Sequence, residues 1–214
     1  MTPEPTVFVV DDDTAIRRSL RFLIESVGLR AETYATAEQF LETYDPARPG
    51  CLLLDVRMPG MSGLHLQEEL ASRQIRLPII IITAYAEVST AVRALRKGAV
   101  DFIEKPFSDQ LLLDRVLAAI ELDRRTRQAE AERAVTAERF AQLSVREREV
   151  MEGVIAGKPN KVIATELLIG EKTVESHRAR VMKKLGVDTL ADLIRLALAP
   201  GGLRENPQSD TGKS

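Results

Sequence analysis

Residues 6–13 read TVFVVDDD: five apolar or β-branched positions in succession, then three carboxylates. An apolar run that short, without alternation, suits a strand buried on both faces. Further short strand-like runs occur at Ala31–Tyr34, Cys51–Asp55, Pro78–Thr83 and Val100–Glu104, each followed by an amphipathic stretch. Those stretches, Thr14–Ser26, Ala37–Tyr44, Gly63–Arg73, Glu87–Lys97 and Ser108–Leu122, read as helices, punctuated by Gly28, Pro46, Pro49, Pro78 and Gly98. Strands alternating with helices predict an α/β fold: a doubly wound, five-stranded parallel sheet covered on both faces.

Near residue 122 the strand signals stop. Residues 123–141 are charged, Ala-rich and helix-favouring, with sparse apolar positions at Ala129, Val135 and Phe140, and so predict a helical linker. Residues 142–200 read as a second, all-α four-helix domain: Ser144–Ala156, Asn160–Leu167, Glu171–Leu185 and Leu190–Ala199, with breaks at Gly157-Lys-Pro159, Gly170 and Gly186. The polar remainder, 201–214, is expected to be a disordered tail.

Composition agrees with two functional halves. The 214 residues are 44% hydrophobic and 29% charged, which excludes a disordered or collagen-like chain. The net charge of -2 conceals an asymmetry: residues 1–122 hold 13 basic and 18 acidic residues, whereas 142–200 hold 10 and 8. No apolar stretch is long enough to cross a bilayer, the N-terminus lacks a signal-peptide pattern, and the lone Cys51 cannot form an internal disulfide. A cytoplasmic location, away from membranes, is expected.

The chemistry lies at the C-terminal ends of the strands, where open α/β sheets place their ligand crevice. Asp11 and Asp12 follow the first run, Asp55 ends the third, Thr83 the fourth, and Lys105 follows the fifth and precedes Pro106. Converging carboxylates collect a hard cation such as Mg²⁺, while a hydroxyl and an ammonium receive an anion. Together they describe a phosphoryl-transfer site in which one carboxylate attacks phosphorus. Singly, each has an ordinary reading as a helix cap, a turn or a solvated lysine. Four at successive strand ends are not what chance supplies.

The stretches FVVDDD, CLLLDVRMPGMSG, IIITAY and DFIEKPF resemble, in order and spacing, the receiver domain of response regulators. That resemblance implies a flavodoxin/CheY-like sheet, Asp55 as phosphoacceptor, Asp11, Asp12 and Asp55 as the Mg²⁺ site, and Thr83 and Lys105 on the phosphoryl group. It also implies a sensor histidine kinase as donor and a cis Lys105-Pro106 bond. Asp13 is left as a helix cap. Phe102 takes the place of an aromatic switch residue that is more often tyrosine, and without the hydroxyl it can report a switch only by packing.

In the second half, Ser144-Val-Arg-Glu147 fits a capping box. Helices 160–167 and 171–185 around Gly170 suggest a helix-turn-helix, although any small bundle would show short helices and glycines. On a helical wheel Val174, Val181, Met182 and Leu185 share one side, with Lys172, Ser176, Ala179, Arg180 and Lys183 opposite. A small, basic face suits a helix in a DNA major groove. A solvated face would look the same.

Residues 144–187 resemble the LuxR/NarL-type DNA-binding domain, and TVESHRARVMKKL its FixJ subgroup. One departure is Gly170, where the family commonly carries Ser or Thr at the cap. The DNA-binding candidates are Lys161, Lys172, Thr173, Glu175, Ser176, His177, Ala179, Arg180, Lys183 and Lys184. Glu175 and Ala179 suit base edges, and the basic residues suit phosphates.

The two resemblances imply a FixJ-type response regulator, not an enzyme, whose phosphorylation promotes homodimerisation and binding to a double-stranded DNA operator, with RNA polymerase as a further partner. Arg93, Arg96 and Lys97 opposite Asp101 and Glu104 offer a self-complementary dimer face. A phosphatase using Asp55 as nucleophile is the enzymatic alternative. Such enzymes commonly carry a general-acid aspartate two residues on, and here that position is Arg57. A DNA-binding module indifferent to phosphorylation is the other.

Overall fold

The computed structural model describes residues 4–84 and 87–203. The chain forms two compact units, Met1–Arg127 and Gln128–Ser214.

In the first unit, strands β1 (Thr6–Val10), β2 (Arg30–Tyr34), β3 (Gly50–Asp55), β4 (Ile79–Thr83) and β5 (Asp101–Glu104) form one parallel sheet in the order β2-β1-β3-β4-β5. Helices α1 (Thr14–Ser26), α2 (Ala37–Thr43), α3 (Gly63–Ser72), α4 (Val88–Arg96) and α5 (Asp109–Ala141) alternate with them. The unbroken apolar runs are explained by burial on both faces. Side chains alternate, so Phe8, Val10, Leu52, Leu54, Ile79 and Ile81 join one core. Val7, Val9, Cys51, Leu53, Ile80 and Ile82 join the other, with Leu20, Ile24, Leu112 and Val116. The weakest run in the sequence, RAETY, is the edge strand β2, in which Arg30 is exposed, Ala31, Glu32 and Thr33 are partly buried and only Tyr34 is buried.

The fifth helix differs from expectation. It does not stop at Leu122 but continues unbroken to Ala141. No Gly or Pro interrupts residues 108–142, so nothing in the backbone ends it. Beyond 122 it also stays fastened to the first unit. The buried Asp123 accepts the Gly50 N–H at 2.9 Å and Arg127 Nε at 2.8 Å, and Arg127 donates to the carbonyls of Pro46 and Arg48, each at 2.9 Å. These are long-range contacts that a change in composition at 122 does not disclose.

The second unit packs α6 (Val145–Ile155), α7 (Asn160–Leu167), α8 (Glu171–Leu185) and α9 (Leu190–Leu198) around Val150, Met151, Ile163, Val174, Val181 and Leu193. The capping box forms as read: Ser144 Oγ accepts the Glu147 N–H, and Glu147 accepts the Ser144 N–H at 2.8 Å. The expected tail lies mostly outside the described residues. Of its first residues, Gly202 is buried and Leu203 packs on the core, because an apolar side chain there still has a core to meet.

Candidate functional site

The strand order reverses its direction of winding between β1 and β3, which opens a crevice beyond their C-terminal ends. Asp11 follows β1 and Asp55 ends β3, so the two carboxylates flank that crevice. Both are buried and both accept from one ammonium: Lys105 Nζ lies 2.7 Å from Asp11 Oδ2 and 3.0 Å from Asp55 Oδ1. The Lys105-Pro106 bond is cis, as the resemblance implies. Thr83 is fully buried at the end of β4, and its carbonyl accepts the Lys105 N–H at 2.9 Å. Phe102 is half-buried, packed on the core cluster that includes Ile81 and Ala94. Asp12 is exposed, and among the described residues no three His, Cys, Asp or Glu side chains converge on one point.

The other oxygen of each carboxylate accepts from the backbone. The Arg57 N–H donates to Asp55 Oδ2 at 2.6 Å, and the Asp13 N–H donates to Asp11 Oδ1 at 2.9 Å. Asp13 caps α1, accepting from the N–H groups of Ala15 and Ile16. Gly63, the first residue of α3, lies against Asp55: a Cβ there would sit 2.0 Å from the Asp55 carbonyl oxygen. Burial pushes the Asp55 carboxyl above the usual aspartate range, and the Lys105 ammonium only partly offsets it. Burial opposes the charge on Lys105, but the carboxylates of Asp11 and Asp55 outweigh it and hold the amine above its ordinary value.

Mg²⁺ fits this donor set. It keeps several waters and takes only one or two carboxylates plus phosphate oxygens. Asp11 and Asp55 present two hard oxygens to a common point that already attracts a cation.

In the second unit Lys161, Lys172, Thr173, Glu175, Ser176, Ala179, Arg180 and Lys183 are all exposed, and all but Lys161 lie along α8. His177 is half-buried with Nδ1 enclosed and unpaired. Lys184 is turned to internal use: its Nζ donates to Glu147 Oε2 at 2.7 Å and to the Gln142 carbonyl at 3.1 Å. The Lys184 ammonium and the Ser144 N–H pull the Glu147 carboxyl down to about 2.

Sequence reasoning missed several partners. Arg17 Nη1 donates to the Asp11 carbonyl at 2.7 Å, and the one available signal was a cation one turn beyond the helix cap. Arg178 Nη1 donates to Asn160 Oδ1 at 2.6 Å, joining α8 to the start of α7. Gln67, buried on α3, donates to the Ala94 carbonyl at 2.9 Å. Nothing local marks the last two.

Comparison with known proteins agrees with both halves. Residues 7–117 match the family described as the response regulator receiver domain, and residues 141–197 match the luxR family of bacterial regulatory proteins. Nodulation protein W of Bradyrhizobium diazoefficiens is 48% identical over 89% of this chain and 84% of its own. The transcriptional regulatory protein FixJ of the same organism is 42% identical over 96% and 100%. The solved structure of response regulator StyR superposes with a TM-score of 0.86 at 45% identity, covering 90% of this chain and 98% of that one. Among the described residues no helix is long and apolar enough to cross a membrane. The family is one of transcriptional regulators rather than enzymes, and the chain belongs to it as a FixJ-like two-component response regulator with a LuxR-type DNA-binding domain.

Proposed function

We propose that Asp55 accepts a phosphoryl group from the phosphohistidine of a sensor histidine kinase, and that the acyl phosphate promotes dimerisation and operator binding. An Asp55 oxygen forms the new bond to phosphorus as the bond to the imidazole nitrogen breaks and the imidazole leaves. The supporting observation is the shared ammonium: Lys105 bridges Asp11 and Asp55 in a buried pocket, poised to meet the phosphoryl oxygens. Mg²⁺, held by Asp11 and Asp55 with Asp12 at the exposed rim, would supply charge neutralisation on those oxygens. The Thr83 hydroxyl, beside Lys105 through the strand backbone, reads the phosphoryl group rather than accepting it.

The dimer surface is α4 with β5. Val88, Val92 and Leu95 are exposed there, with Arg93, Arg96 and Glu104 around them. Two of the charges first matched across this face have partners within the chain, Lys97 with Glu68 and Asp101 with Arg115. Arg93, Arg96 and Glu104 therefore carry the complementarity. DNA is met by the exposed surface of α8, with Glu175, Ser176 and Ala179 nearest the bases. Lys161, Lys172, Thr173, His177, Arg180 and Lys183 approach phosphates, and Lys184 adds charge while remaining tied to Glu147. RNA polymerase is the downstream partner.

Labelling with a phosphodonor tests the pocket. Wild type should take up label that depends on Mg²⁺, Asp55→Asn should take up none, and Thr83→Ala should be labelled without gaining operator affinity. Equal labelling of wild type and Asp55→Asn would remove the assignment.

A further inference from the structure

The turn between α7 and α8 carries a side chain that the fold does not use. Leu168, directly after α7, adopts the left-handed conformation with φ 54° and ψ 44°. An L side chain is disfavoured there and glycine is not. The chain supplies glycine at comparable helix ends, with positive φ at Gly28, Gly98, Gly157 and Gly186. At 168 it does not. Its neighbours Leu167 and Ile169 pack on the core of the second unit, whereas Leu168 is 91% exposed. The position thus costs stability twice, by backbone conformation and by exposed apolar surface, and gains nothing within the domain. Among the described residues the other non-glycine with positive φ is Gln74, which is polar.

What lies next to Leu168 indicates the occupant. Gly170, the cap of α8, has an ordinary φ of -74°, and a Cβ there would meet only Thr173 Oγ1, at 3.6 Å. The chain has therefore placed bulk at 168, where glycine would fit best, and left bare backbone at 170, where a side chain would fit. Only Ile169 separates Leu168 from that cap, a reach of at most about 8 Å. The exposed Lys172, Thr173, Glu175 and Ser176 follow at once. In helix-turn-helix docking the N-terminal residues of the second helix meet the base edges. An apolar side chain at that edge of the groove has one base-specific target, the C5-methyl of thymine.

We propose that Leu168 is a specificity residue that packs on a thymine methyl group at the edge of each half-site. The inference rests on the reading of α8 as the groove helix and adds a contact outside it.

The test uses the full-length phosphorylated protein and an operator obtained by selection from random DNA. Each thymine is replaced in turn by deoxyuridine, which removes only the methyl group. Wild type should show one position per half-site where the replacement lowers affinity about threefold to tenfold. Leu168→Gly should lose that sensitivity and bind the thymine operator with the same deficit. Its thermal midpoint should rise, so the deficit cannot come from unfolding. Leu168→Met, which retains an apolar side chain, should keep part of the sensitivity. Undiminished binding by Leu168→Gly while Lys183→Ala and Glu175→Gln are impaired would overturn this inference alone. If none of the three variants alters binding, the groove reading of α8 fails and takes this inference with it. A uniform loss with no deoxyuridine-sensitive position, or a defect seen only in transcription with polymerase present, would likewise overturn the thymine contact.

Discussion

Replacing Glu147 with Gln removes one charge from a carboxylate that ties α6 to α8. The Glu147 side chain is only 5% exposed and accepts the Ser144 N–H at 2.8 Å and the Lys184 ammonium at 2.7 Å. Both donors meet the same oxygen, Oε2, so the glutamine carbonyl can still accept from both and the loss is the charged part of two hydrogen bonds, about 1 kcal/mol each before screening. Lys184 is 38% exposed, which weakens its share. The net cost should be about 1–2 kcal/mol, or roughly 5–15 °C in the midpoint of a unit this small. The pH dependence carries the sharper claim. The folded carboxyl is pulled from 4.5 to about 2, so its stabilisation is complete above the unfolded value and disappears as pH falls through the folded one. Urea unfolding followed by far-UV circular dichroism, from pH 7 down to pH 2.5, compares the two proteins. The gap between wild type and Glu147→Gln should be constant above about pH 5 and narrow steadily below 4.5. A gap that does not change with pH, or no gap at neutral pH, would refute the pairing of Glu147 with Lys184.

Gly63→Ala should place a methyl group 2.0 Å from the Asp55 carbonyl oxygen, costing about 1–3 kcal/mol in chemical denaturation and slowing phosphoryl uptake. Ala at an exposed helix site elsewhere should do neither. Arg96→Glu should weaken the phosphorylated dimer in sedimentation while leaving labelling unchanged, because Arg96 is exposed at the C-terminal end of α4, which leads back to the start of β5, whereas Asp55 lies at the C-terminal end of β3. On DNA, Lys183→Ala should reduce the salt slope by about one unit for every sequence. Glu175→Gln should instead relax discrimination at one base pair by about 1–3 kcal/mol.

How far the sequence could be read depended on the range of each interaction. Asp11, Asp55, Thr83 and Lys105 were legible because each ends or follows a short apolar run, and parallel strands bring such ends to one edge of a sheet. Asp13 and Ser144 were legible because a helix cap bonds within three residues of itself. Lys184 was not. A helical wheel reports azimuth on α8 but not that α6 brings the Glu147 carboxylate to that ammonium. The end of the fifth helix was misread for a similar reason. The change in charge pattern near 122 is a property of its exposed surface, whereas Asp123 and Arg127 bond to Gly50, Pro46 and Arg48 far back in the chain. The left-handed Leu168 carries no local signal, since a bulky residue such as leucine is rarely found in that conformation.

The proposed switch is phosphorylation of Asp55, which turns on DNA binding. It is tested most directly by measuring operator affinity of wild type and Asp55→Asn, each with and without a small-molecule phosphodonor and Mg²⁺, at one fixed salt concentration. The donor should raise wild-type affinity at a site of two inverted half-sites and leave Asp55→Asn at the unstimulated level. Equal stimulation of both proteins, or wild-type affinity that ignores the donor, would contradict it.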